Sequence, residues 1–504
     1  MMQAAWRARF TRVLVLVLGL ASAPGCWAPP ASFLASHLAG RERLHGDGHP
    51  TSFKVVIVGD GFTDDAASMG AYRTAAHKFA NQLVGVQPFA AMQDAIDIYR
   101  VDVISDEPGI DVPEACGTYL YAAPPASLTD RARTPRRSNT ALGTTWCPDL
   151  NNLADYRHIV AVNDQRVIDE TRVVTFALQA GVVPNLIVVL VNDWMWGASA
   201  WPVNSSVVPG YGGVAYASIE QNLIGDINPI TKVLLQPKAM PGFPKIAVHE
   251  SGHLGPFLLN DEYGYVALPG PLDPAYPALM ASVNDSPNLF WSGPQPPPPP
   301  LKWAHLTSGG DPVWTDCVLP SNQQAGDVPD GAYYLVAADG TGPYHPRCEC
   351  RMNSYASPTF CVVCRERVLD RLTPHTPPTF GLRVMVDSLR LNGLGGDYFL
   401  DYKFSVGGAT YTGRWPSPTL PKFITSGVIT EPGTVFFELP PSAVLPSTLN
   451  VAVTLVRVPP GPLSLPRTVT LTIPASGTGV VQRFGPSGSR GGSNYSLTLA
   501  MVRR

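Results

Sequence analysis

The chain reads as an α+β unit, a mixed sheet with one helix that carries paired histidines, followed by a small all-β sandwich. Three observations predict this. Two continuous apolar runs, Phe53–Asp60 (FKVVIVGD) and residues 185–193 (NLIVVLVND), have the length and character of buried strands. Stretches of moderate helical pattern, residues 66–83 and 169–180, accompany them, so strands alternate with helices and the class by this pattern is α/β or α+β. After residues 373–378 (TPHTPP) the pattern changes to short β-type runs at 382–386, 398–406, 434–439, 449–456 and 468–473, separated by Gly, Pro and Ser turns. The expected organisation is a leader at 1–28, an α+β domain at 50–372 and a β-sandwich at 378–504.

At 504 residues the chain exceeds what one hydrophobic core usually serves, which agrees with two folded units. A formal net charge of -3 with 15% charged residues leaves no basic footprint, so no nucleic-acid partner is expected. Proline (52) and glycine (46) are frequent but follow no period, which indicates a turn-rich globular chain rather than collagen or a disordered tail.

The first element is a leader. Arg7, Arg9 and Arg12 precede the apolar run Val13 to Leu20, and small residues follow up to Cys26. The run is too short to span a bilayer, so the mature chain is expected to be exported without a transmembrane span. Cys26 is a candidate lipid anchor, although Ala-Pro-Gly-Cys lacks the apolar residue that usually stands three places before an acylated cysteine. Export makes disulfides the default for Cys116, Cys147, Cys317, Cys348, Cys350, Cys361 and Cys364. The alternative for Cys348-x-Cys350 and Cys361-x-x-Cys364 is a structural zinc site.

The first strand leaves its sheet through Gly59-Asp60-Gly61, where an aspartate more often bonds its own turn than performs chemistry. The tract Pro294 to Pro300 reads as a rigid surface loop, because apolar sequence resumes at Leu301-Lys302-Trp303.

The chemistry sits in His249-Glu250-Ser251-Gly252-His253. Histidines four apart on a helix project from one face and can bind one tetrahedral Zn²⁺. Glu250 then lies beside the metal, placed to act as general base toward an attacking water. With 10 histidines in the chain, such a pattern arises by chance in roughly one chain of this kind per hundred. Pro244 suits a first helical turn and Gly255-Pro256 a poor continuation, so the helix is expected over about 244–254. A chain broken there can return a third ligand. The next acidic groups are Asp261 and Glu262; Asp261 is expected to bind the metal on grounds of reach, with Glu262 as the alternative.

These segments resemble the M64 metallopeptidases, the immunoglobulin A peptidase family. The resemblance extends beyond the histidine motif to Gly59 through Thr63, Tyr99 through Val103 and Ser105 through Gly109, and Tyr211-Gly212-Gly213. It continues through Asp261-Glu262-Tyr263, Lys302-Trp303, Tyr344-His345-Pro346, Cys350-Arg351-Met352 and Cys361-x-x-Cys364. It spans roughly residues 50–372, in the family's order, and leaves out the β-rich C-terminus. It implies a zinc endopeptidase with a metzincin-like arrangement, and the leader places it in an exported bacterial protein, secreted, periplasmic or on the outer cell surface. His249, His253 and an acidic third ligand would hold the ion, with Glu250 as base. Met352 would form a methionine floor below the metal, with ordinary core packing as the alternative. Tyr263, Tyr344 and His345 are candidates for oxyanion stabilisation or simply cleft-wall residues.

The expected partner is therefore a protein or peptide substrate. The reading from another class is a cell-surface binding or adhesion protein that keeps the zinc peptidase-like fold without proteolysis.

Overall fold

The computed structural model describes residues 29–113, 119–120, 132–133, 136–146, 160–162, 167–193, 197–201, 213–219, 224–227, 234–238, 243–253, 257–259, 314–316, 332–334, 344–345, 350–352, 360–377, 379–392, 396–416, 422–424, 429–430, 435–458, 464–473, 477–484 and 494–503. The expected leader, Cys26 and the proline tract lie outside these residues. No helix among the described residues is long and apolar enough to cross a membrane. The protein mixes helices and sheets in the α+β manner and divides into two compact units. The first comprises Met1–His45, Lys54–Gln82 and Asp97–Pro256; the second comprises Gly46–Phe53, Leu83–Ile96 and Phe257–Arg504.

The first unit is built on a six-stranded mixed sheet. Its strands are β1 (Leu38–His45), β2 (Phe53–Asp60), β3 (Ile96–Val103), β4 (Leu186–Val191), β5 (Ala198–Trp201) and β6 (Val214–Ser218), in the spatial order β1-β3-β2-β4-β6-β5. β2 runs parallel to β4 and β4 parallel to β6, while β1 on β3 and β5 on β6 are antiparallel. Every residue of β2 and β4 is buried. That is why both read as unbroken apolar runs: a parallel strand covered on both faces has no solvent side to mark with polar residues. Each buried Val, Ile or Leu contributes about 1.5–3 kcal/mol, so these runs dominate the core.

Helices α1 (Ala31–His37), α2 (Ala66–Gly85), α3 (Val167–Leu178) and α4 (Phe243–His253) accompany this sheet along the chain. Tyr72 of α2 is fully buried and donates its hydroxyl to the Val101 carbonyl at 2.8 Å, tying helix to sheet. From α3, Val173, Val174, Phe176 and Ala177 join Val56, Val58, Ile187 and Val189 in one apolar cluster.

The exit of β2 requires its glycines. A side chain at Gly59 would stand 2.8 Å from the Tyr72 ring. Gly61 has φ +74°, and a Cβ there would meet the Gly109 carbonyl oxygen at 2.2 Å. Between them Asp60 is fully buried and accepts from a distant segment rather than from its own turn. Its donors are the Leu142 and Thr144 N–H groups at 3.0 and 2.9 Å and the hydroxyls of Ser105 (3.1 Å), Thr140 (2.9 Å) and Thr144 (2.5 Å). Burial pushes its carboxyl up from the ordinary value, against the lowering pull of the Thr144, Leu142 and Thr140 donors.

In the second unit α5 (Val362–Leu372) precedes ten strands in two five-stranded sheets. The first sheet holds β7 (Leu382–Asn392), β11 (Ile429–Thr430), β12 (Val435–Leu439), β15 (Gly477–Phe484) and β16 (Asn494–Arg503). The second holds β8 (Gly396–Val406), β9 (Ala409–Trp415), β10 (Lys422–Ile424), β13 (Thr448–Arg457) and β14 (Ser464–Thr472). Val384 and Leu497 of one sheet and Leu400 and Val453 of the other share a single core. Along β13 the residues Leu449, Val451, Val453 and Leu455 are buried while Asn450 and Ala452 are exposed. This is the period-2 alternation of an antiparallel strand with one dry face, and it made the region legible as β.

A candidate metal and base site on helix α4

Helix α4, FPKIAVHESGH, packs against β4, β5 and β6 of the first sheet. Pro244 occupies its first turn, where a missing N–H costs nothing. Phe243, Ile246, Ala247 and Val248 are buried, and this apolar burial fixes the helix on the sheet. The helix includes Phe243, one residue before the expected start at Pro244; Leu254 and the Gly255-Pro256 break lie outside the described residues.

Polar residues follow the apolar ones into the interior. His249 is completely buried, Glu250 nearly so, and His253 sits at the partly open end. A rise of 1.5 Å and a turn of 100° per residue stack residues 249 and 253 on one face. Their rings meet edge to face with centroids 4.8 Å apart, and their Nε2 atoms approach to 3.0 Å. The Glu250 carboxylate reaches from the same side, its Oε2 4.0 Å from the His253 Nε2. The Ser251 hydroxyl turns away and donates to the Ala247 carbonyl at 2.7 Å. Two imidazole nitrogens at this separation either share one proton or accept one cation between them. Placing a carboxylate and two imidazoles in a mostly dry pocket costs several kcal/mol unless charge is compensated there.

Among the described residues, two groups bring three or more metal-binding side chains together. One is His249, Glu250 and His253; the other is Cys350, Cys361 and Cys364 in the second unit. The three cysteines form no disulfide, against the default expected for an exported chain. Cys116, Cys147, Cys317 and Cys348 lie outside the described residues, as do Asp261, Glu262 and Tyr263. Met352 is fully buried, with its backbone N–H 3.5 Å from the Cys350 Sγ. Tyr344 and His345 form a short strand whose side chains are not described.

A polar cluster beside the end of β4 was not legible in the sequence. Asp193 is buried and accepts from the Arg136 guanidinium at 2.9 Å and the Trp146 indole at 3.0 Å. Next to it, Asn192 donates its side-chain amide to the Gly61 carbonyl at 2.8 Å. These contacts brace the Gly-Asp-Gly turn and link residues from 47 to 131 positions apart, which no local pattern encodes.

No protein-family model matches this chain, and no curated protein matches it.

Proposed function

We propose that the protein is a zinc-dependent endopeptidase that hydrolyses peptide bonds in protein substrates, with His249 and His253 as metal ligands and Glu250 as general base. The observation that carries this reading is the convergence of both Nε2 atoms to 3.0 Å on a helix that also presents the Glu250 carboxylate 4.0 Å from one of them. The donor set fits the ion: tetrahedral Zn–N bonds of about 2.0–2.1 Å put two ligand nitrogens about 3.3 Å apart. When bound, zinc supplies Lewis-acid polarisation of the scissile carbonyl and lowers the pKa of a coordinated water toward neutrality.

The remaining work falls to the chain's own residues. His249, buried in the core, and His253, at the partly open end, would orient the site toward an entering substrate. Glu250 takes a proton from the attacking water as its oxygen bonds to the carbonyl carbon. It then delivers that proton to the leaving amine as the C–N bond breaks. We take Asp261 as the third ligand, with Glu262 as the alternative, in a metzincin-like arrangement.

The test is hydrolysis of a generic unfolded protein by the purified mature chain, with and without chelator, and after zinc readdition. The proposal expects cleavage that chelator abolishes and zinc restores. Zinc-replete protein that cleaves nothing across a broad peptide library would overturn it.

A further inference from the structure

We infer that Cys350, Cys361 and Cys364 form a second metal site of the thiolate class, a structural site that takes zinc. It lies wholly within the second unit and is independent of the histidine site on α4.

Local structure brings the three sulfurs together. Cys361 is the N-cap of α5, with extended dihedrals of φ -66° and ψ 169°, and Cys364 follows one turn later on the same helix. Cys350 arrives from a separate turn eleven residues earlier, and its Sγ accepts the Cys361 backbone N–H at 3.1 Å. The Met352 N–H approaches the same sulfur at 3.5 Å. Two backbone donors on one sulfur favour its thiolate form, while burial pushes the Cys364 thiol up.

Geometry separates a metal site from the alternatives. All three donor atoms lie within 4.8 Å of one another, and the Cys350 and Cys364 sulfurs are 3.7 Å apart. Four sulfurs around zinc at about 2.3 Å span tetrahedral edges of about 3.8 Å, while a disulfide needs about 2.05 Å. An odd set of three cannot be exhausted by pairing within itself. Buried cysteines acting as small apolar fillers have no reason to converge, nor to collect backbone N–H groups.

Burial points the same way. The three residues are each 0% exposed. Thiolates gathered in so dry a place repel one another strongly unless a cation neutralises them. Among the described residues the group holds three sulfurs and no carboxylate or imidazole. Buried thiolate donors are typical of structural zinc, whose tetrahedron takes a fourth ligand beside these three. Its effect here is to fasten the Cys350–Met352 turn to the start of α5, so that metal affinity becomes folding free energy.

The experiment uses the full mature chain carrying His249→Ala and His253→Ala, read by metal analysis and X-ray absorption at the zinc edge. The inference expects one zinc per chain with sulfur neighbours at about 2.3 Å. In the unsubstituted protein the expected result is two zincs with a mixed nitrogen and sulfur shell, so a double variant that fails to fold does not stop the test. Alkylation mapped by mass spectrometry supplies a third reading: Cys350, Cys361 and Cys364 should react only after chelation. Sulfur-free zinc in the unsubstituted protein, or any of the three cysteines found in a disulfide, would overturn the inference. Sulfur-bound zinc alone in that protein would leave the inference standing and sink the peptidase reading.

Discussion

The two donor groups differ in almost every respect that separates chemistry from scaffolding. The histidine group comes from five consecutive residues on one helix, includes a carboxylate, and ends at a partly open position. The cysteine group is drawn from two separate segments, contains only sulfur among the described residues and is fully buried. An open, mixed donor set leaves room for water and substrate beside a base; a closed thiolate set leaves room for neither. The difference teaches that burial and donor type, read together, sort sites that a motif search would pool as metal-binding.

Removing both histidines should have the largest effect. His249→Ala with His253→Ala should bring peptidase activity to background while leaving the sulfur-bound zinc in place, as metal analysis and a fluorogenic peptide assay would show. Loss of all metal would mean that the two groups are not independent. Next comes the third ligand. Asp261→Ala should nearly empty the histidine site, whereas Glu262→Ala, as a supporting residue, should weaken zinc affinity by about 10- to 100-fold. Zinc content after identical dialysis decides between them, and the reverse order would reassign the ligand.

Cys364→Ser should invert the pattern. At temperatures where the protein stays folded its kcat should match the parent, while stability falls by about 3 kcal/mol, or roughly 6–12 °C in Tm. Calorimetry beside the peptide assay would check this, and a selective loss of kcat would tie the cysteines to catalysis. The smallest effect belongs to the frame. Gly61→Ala forces a left-handed backbone and a clash with the Gly109 carbonyl, at a cost of about 1–3 kcal/mol. Denaturant titration should detect that cost with zinc content unchanged.

Legibility in the sequence followed the range of the interaction. β2 was readable residue for residue because burial on both faces writes an unbroken apolar run. The strand β13 was readable because one dry face writes a period of two. The histidine site was readable because an i, i+4 pair on a helix is set by local geometry alone, and the structure brings His249, Glu250 and His253 together accordingly. What escaped were contacts between distant segments. Asp60 looked like a turn aspartate, yet its partners lie 45 to 84 residues away at Ser105, Thr140, Leu142 and Thr144. The cysteines suggested either disulfides or a metal, and only the approach of the Cys350 turn to α5 separates the two.

The central claim is that Glu250 is a base beside the metal and not one of its ligands. Glu250→Gln keeps the size and shape of the side chain and removes its ability to take a proton. Zinc content and kcat should therefore be measured on the same preparation of this variant. The account predicts unchanged zinc stoichiometry with kcat lowered at least about a hundredfold, within the 10² to 10⁴ that general-base catalysis contributes. Near-normal turnover by the zinc-replete variant would contradict it.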